Sequence, residues 1–307
     1  MTDITGSDSA GAPRARSRGD PGPIGGTLMS AVPALAFLGA LFVVPLGFLL
    51  SFAFLTIERG DIVSGLPTLR HFFDTLTDDL FWIVAWRSFW VGVVSTVLCV
   101  VFAYPVAWVY SELKGVWRPI VLVLVVAPLL TSAVVRTYAW IVILGGRYGL
   151  INSLLIDLGL IGRPLRILNT DIAVIIGMVQ IHLPFMILPL ISVLDGRDRA
   201  REEASLALGA SRIVTFFRVT LPLSVPGIAA GASLVFALSY TNFIIPQLLG
   251  GGNYTTLALQ VYEFIIVILD WTEGAVRATL LLLSCFAIVL LINKLGAWYT
   301  RWLEAER

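Results

Sequence analysis

The side chains able to do chemistry in this chain are few and widely spaced. Only two histidines occur, His71 and His182, so neither a His-rich metal cluster nor an HExxH site can be built. Cys99 and Cys285 each lie in an apolar run and form no CxxC pair, which reads as buried thiols rather than a disulfide framework. A phosphate-binding loop needs Gly-Lys followed by Ser or Thr, whereas Lys114 precedes Gly115 and Lys294 precedes Leu295. The chain therefore cannot be a Walker-type ATPase by itself, and any ATP-driven work needs another subunit. Gly209-Ala210-Ser211 starts like a nucleophile elbow, but Ile213 stands where the second glycine is required. No catalytic constellation remains.

What is left are polar groups in apolar surroundings, the chemistry of a lined pathway. Arg136 is the ionisable residue deepest in an apolar stretch. Charge at a bilayer centre costs about 2.5–3.5 kcal/mol on insertion scales, so Arg136 should face protein or water. It reads either as a pathway or gate residue, or as a structural pair that reaches toward the nearby membrane edge. Gln180 and His182 flank Ile181 before Pro184 and Pro189, and could line a cavity or hydrogen-bond between helices. Tyr240, Thr241, Asn242 and Gln247 form a polar break beside Pro246, the preferred lining element. Tyr104, Trp108, Tyr138, Trp140 and Tyr240 offer aromatic faces to a cation, but no Asp or Glu is central in an apolar stretch.

These residues must be positioned by helices in a membrane. Apolar residues make up 58% of the 307 positions, charged ones 13%, and mean hydropathy is +0.90. Soluble domains carry about 25% charged residues, so a water-facing surface of ordinary composition is excluded. Crossing the hydrocarbon core takes about 20 mainly apolar residues. Six segments qualify, roughly 28–55, 88–110, 119–144, 171–194, 222–248 and 276–296. Their length and lack of period-two alternation predict an all-α polytopic fold. Residues 1–27, rich in Gly, Ser, Pro and Ala, read as a disordered tail, and 297–307 as a second tail. Thirteen Arg and Lys fall in segments on the N-terminal side and seven on the other, which places both termini inside. On the outer side, Ile151–Leu160 looks like a short interfacial helix, and 249–275 opens on Leu-Gly-Gly-Gly-Asn. The net charge of +1 and the absence of a basic stretch argue against nucleic acid.

The longest inner connection, Asp195–Leu221, breaks the composition of the rest with five Arg and four acidic residues. Arg199–Leu208 (RAREEASLAL) consists mostly of strong helix formers. Ala200, Ala204, Ala207 and Leu208 fall on one small apolar face. Gly209 suits the left-handed position that ends a helix. A second helical run, Ser211–Thr220, leads to Leu221-Pro222, with proline suited to the first turn of the next span. The expectation is a helix–turn–helix whose small residues admit close docking. A generic loop helix held by pairs such as Arg199 with Glu203 would share most of these features.

Glu203-Ala204-Ser205, three residues, Gly209, nine residues, Val219, one residue and Leu221-Pro222 closely resemble the EAA loop of ATP-binding-cassette (ABC) importer permeases. Ser205 and Val219 replace Ala and Ile of that pattern conservatively. The loop's place after the fourth of six spans and about 85 residues before the end agrees too. Arg136-Thr137-Tyr138-Ala139-Trp140 after Pro128, Leu183-Pro184-Phe185 with Pro189, and Leu249-Gly250-Gly251 resemble the spermidine/putrescine branch, in marks shared with relatives handling iron, thiamine or phosphonates. The resemblance implies a coupling helix in which Glu203, Ala204, Ser205, Gly209, Val219, Leu221 and Pro222 meet an ATPase subunit. It further implies a second permease, identical or homologous, an external solute-binding protein, and a bacterial inner-membrane location. ATP and Mg would be bound by the partner ATPase and no cofactor by this chain. An ion-coupled secondary transporter would usually carry a central carboxylate or symmetric repeats, and neither is evident. A membrane scaffold would have no need of the loop spacing.

Overall fold

The computed structural model describes residues 23–58, 61–64, 67–252 and 254–305. Residues 1–22 of the expected tail lie outside that range, while Pro23–Thr27, assigned to the tail from composition, are helical. Helix α1, Pro23–Ser51, is apolar along its length and contains Pro33 and Pro45; up to Leu49 it belongs to a unit of its own.

The second unit begins with a 3-10 turn, Phe52–Phe54, and a short antiparallel hairpin of β1 (Thr56–Glu58) and β2 (Asp61–Ser64), pairing Ile57 with Ile62. Helix α2 (Arg70–Thr77) follows. Helix α3 runs from Asp79 to Glu112, capped by the Asp78 carboxylate, which accepts from the Leu80 amide at 3.0 Å. At 1.5 Å per residue it is roughly 51 Å long, well beyond the ~30 Å hydrocarbon core, so it starts nine residues before the apolar run that announced it.

The third expected span is not one helix. Helix α4 (Trp117–Val126) continues as a 3-10 turn to Leu130, and α5 (Ala133–Leu144) leaves at 94°. Pro128 supplies no amide to the helical ladder, and Thr131 and Ser132 adopt extended backbone, with the Thr131 hydroxyl donating to the Pro128 carbonyl at 2.8 Å. Helix α6 (Leu150–Asp157) is the short helix expected near 151–160; the buried Asn152 amide donates to the Gly146 and Leu165 carbonyls at 2.7 and 2.9 Å.

Helix α7 (Asp171–Asp195) stays continuous through Pro184 and Pro189. The loop that follows folds into α8 (Arg199–Ala207) and α9 (Arg212–Thr215). A π turn, Phe216–Thr220, joins α9 to α10 (Leu221–Tyr240) without a break. Pro222 therefore sits inside a continuous helix rather than opening a new one. The Leu221 amide reaches back to the Phe216 carbonyl, a wider ring at the point where proline removes the next donor. The fifth expected span, 222–248, ends at Tyr240; Thr241–Phe243 break it, and α11 (Ile244–Leu249) restarts it. Helix α12 (Leu257–Tyr262) is prolonged by a second π turn to Ile268, and α13 runs from Trp271 to Ala305, taking in Arg277 and residues 297–305.

Among the described residues five helices are thus long and apolar enough to cross a membrane, or six where the bent pair counts as one span. Within the second unit α7 is central, packed against α3 and α10, with α13 on the far side of α10. Gly227-Ile-Ala-Ala-Gly231 sets the spacing of α7 and α10. A Cβ at Gly231 would lie 2.6 Å from Met186 Sδ, so the Met186 thioether would have to shift to admit a side chain between these helices.

Candidate functional site

The loop between α7 and α10 is built by local rules. Asp198 caps α8 by accepting from the Ala200 amide at 3.1 Å. The helix ends where Gly209 takes φ +88°, with the Ala210 amide bonded to the Ser205 carbonyl at 3.2 Å. Ser211 then caps α9 through the Val214 amide at 3.3 Å. The helix–turn–helix and the left-handed Gly209 are as the sequence led us to expect.

The two faces of α8 differ sharply. Glu203, Ala204, Ala207 and Leu208 are exposed, Leu208 at 89%, and Ile213 at 71% and Phe217 at 60% extend the bare apolar surface. Glu202 and Ser205 turn inward, Ser205 Oγ meeting Thr215 Oγ1 at 3.0 Å. Val219, Leu221 and Pro222 are half-buried in the π turn and the start of α10, where Leu221 packs on the core. The generic pair Arg199–Glu203 is not formed. Arg199 reaches Glu112 on α3 at 3.3 Å and the Ser111 carbonyl at 2.6 Å, and Glu203 makes no ion pair among the described residues.

Beneath α8 lies an ion-pair network. The Arg197 side chain, 4% exposed, pairs with Glu112 and, at 2.9 Å, with Glu202. Arg118 of α4 pairs with Asp195 at the end of α7 and lies over the Tyr110 ring at 5.0 Å. A cleft of about 410 Å³ opens beside the network, lined by Trp108, Glu112, Glu202, Leu206, Arg212, Thr215, Phe216 and Thr220. Sequence reasoning counted Arg197 only toward orientation and missed Glu202 altogether. The available signal was helical period: of two adjacent glutamates, only one can share the exposed face with Ala204 and Leu208.

The residues singled out for a pathway are engaged in different ways. His182 is buried and its Nδ1 shares a 2.9 Å hydrogen bond with Ser239 of α10, the interhelical bond that was one of its two readings. Arg136 stands one turn past the bend, in α5; its Nε and Nη1 are buried without a partner. Gln180 Oε1 is likewise buried and unpartnered. Tyr240 shares a 3.0 Å hydrogen bond with Ser284 of α13 and borders an apolar cleft of about 340 Å³ walled by Trp82, Trp86 and Phe89. Asn242 caps α11 through the Ile245 amide at 3.0 Å. Tyr138 and Gln247 are exposed. At the end of the bundle away from α8, Arg87 lies over the Tyr254 ring at 5.0 Å. Burial, with Asp171 adding to it, pushes that phenol well above its usual range.

No protein-family model matches the chain. In fold it is similar to a chain of the bacterial alginate ABC transporter in complex with alginate pentasaccharide-bound periplasmic protein, with a TM-score of 0.69, 17% identity, and coverage of 89% of this chain and 95% of that one. In sequence it is 35% identical over 267 residues to the spermidine/putrescine transport system permease protein PotB of Haemophilus influenzae, covering 85% of this chain and 93% of the relative. The chain belongs to the ABC importer permeases. Similarity to PotB of Escherichia coli, 34% over 254 residues and 92% of that relative, supports the same assignment. The permease is therefore a membrane transport component.

Proposed function

We propose that this permease forms half of a pathway for a polyamine such as spermidine or putrescine, delivered by an external binding protein and driven by a separate ATPase. The observation that carries the substrate is the 35% identity to a spermidine/putrescine permease over most of both chains. Coupling rests on geometry: α8 holds Glu202 inward and presents Glu203, Ala204, Ala207 and Leu208 outward, a bare face with an unpaired carboxylate suited to a groove in the ATPase. The excess of basic residues on the α8 side supports a cytoplasmic position for that face and for both termini. A second permease, identical or homologous, completes the pathway. ATP and Mg are bound by the partner ATPase, and this chain holds no cofactor.

Arg136, Tyr138, Gln180, His182, Tyr240, Asn242 and Gln247 remain the pathway candidates. Among them Arg136 and Gln180 carry the buried polar atoms free to meet a passing solute. The test is binding of radiolabelled spermidine, putrescine, iron, thiamine and phosphonate to the external protein that co-purifies with the permease. Saturable polyamine binding is expected. Binding of iron, thiamine or phosphonate instead would move the permease to another branch, and uptake by the isolated chain on an ion gradient would remove the ATPase from the account.

A further inference from the structure

The coupling face and the membrane helices meet through one guanidinium. Arg197 lies between α7 and α8 and spends its donors on three elements at once: Nε on Glu202 of α8 at 2.9 Å, Nη1 on Ser111 of α3 at 2.6 Å and on the Leu194 carbonyl of α7 at 2.8 Å, and Nη2 on Glu112 of α3. The shared carboxylate extends the chain: Glu202 Oε1 also accepts from Thr220 Oγ1 at 2.7 Å, in the π turn directly before Pro222 of α10. An arginine fork holds several directions in one plane, which a lysine ammonium on a flexible stem does not. With its side chain 4% exposed, this fork is held out of water, where such bonds are strong and their geometry is fixed.

We propose that Arg197 and Glu202 are the positioning residues that convert a displacement of α8 into a joint displacement of α3, α7 and α10. Without them α8 would be tethered through Arg199, the Ser205–Thr215 contact and two short loops, and a push on Glu203 or Leu208 would be absorbed by the loops rather than delivered to the spans. The inference rests on the proposed docking of an ATPase on the outer face of α8, and it adds the inner face as the transmitting element.

The test uses the assembled importer in proteoliposomes, with [14C]spermidine uptake and ATP hydrolysis measured on the same sample. Arg197→Lys keeps the charge and removes the fork. It is expected to lower uptake per ATP hydrolysed about tenfold, within the roughly 5–150-fold usual for coupling between sites. Thr220→Val removes one hydroxyl link with little change in volume and is expected to lower that ratio about threefold, well below the Arg197 variant; it carries the test if Arg197→Lys fails to assemble. A substrate-free reading comes from hydrogen exchange with and without ATP and vanadate. Protection should change in α8 and in the nearby turns of α3 and α7 together in the wild type, and in α8 alone in the variants. A fall of uptake and hydrolysis in proportion, or a joint response that survives Arg197→Lys, overturns the proposal. Glu203→Lys separates the two ideas: if it leaves the α8 response intact, the docking reading fails, whereas if it abolishes that response while Arg197→Lys changes nothing, only the transmitting role fails.

Discussion

The loop end and the interior of the bundle are held together by opposite means. Around α8, charged side chains from four elements pair across long sequence distances, as Arg197 does with Glu112 and Arg118 with Asp195. In the bundle, polar side chains mostly fold back on their own helix: Ser88 donates to the Val84 carbonyl, Thr96 to Gly92, Thr137 to Ala133 and Ser233 to Ala229. The contact between helices rests on small residues such as Gly227 and Gly231, joined by a few hydrogen bonds such as His182 with Ser239 and Tyr240 with Ser284. In lipid, burial of apolar surface gives no advantage to one helix pairing over another, so close packing decides. At a wet end, directional charge pairs can fix geometry that packing does not.

That contrast predicts a graded set of outcomes. The largest loss of stability is expected from Arg197→Met, which strands Glu202 and Glu112; removing one partner of a buried pair costs about 3–5 kcal/mol, with the lower value fitting the half-exposed Glu112, read as a fall in thermal unfolding temperature in detergent. Gly231→Val should follow at about 1–3 kcal/mol by forcing α7 and α10 apart at Met186, a change that salt will not alter. Gly209→Ala should cost about 1 kcal/mol, because a Cβ is strained at φ +88° although nothing crowds it, and circular dichroism should show little helix lost. The smallest is Glu203→Ala, within about 0.5 kcal/mol of wild type because its carboxylate is exposed and unpaired, yet uptake should fall and less ATPase should co-purify. If Glu203→Ala destabilises the permease as much as Arg197→Met, the division of α8 into a structural and a docking face is wrong.

Much of the fold was legible because a bilayer imposes length and composition on each crossing. The ends of α7, the short helix at 150–157 and the turn at Gly209 all followed from apolar runs and glycine, and the polar stretch from Tyr240 marked where the fifth span breaks although not that the helix ends there. The bend at Thr131–Ser132 did not, although Pro128 was in view, because prolines 184 and 189 in α7 bend nothing comparable. A proline removes a donor everywhere, but only neighbouring helices determine whether the chain turns there.

The same division runs through the site. Sequence alone determined that the machinery between spans four and five is a helix ended at a glycine, and that it carries a small-residue face, since capping and periodicity are local properties. Which of two adjacent glutamates turns inward, that Arg199 abandons Glu203 for Glu112, and that one buried arginine joins α3, α7, α8 and, through Glu202, α10 were decided only by the fold. Arg197 lies only 3 and 5 positions from Leu194 and Glu202, but the links to α3 and α10 span 18 to 88 positions, and a charge pair is specified by distance in space, which the order of residues does not carry.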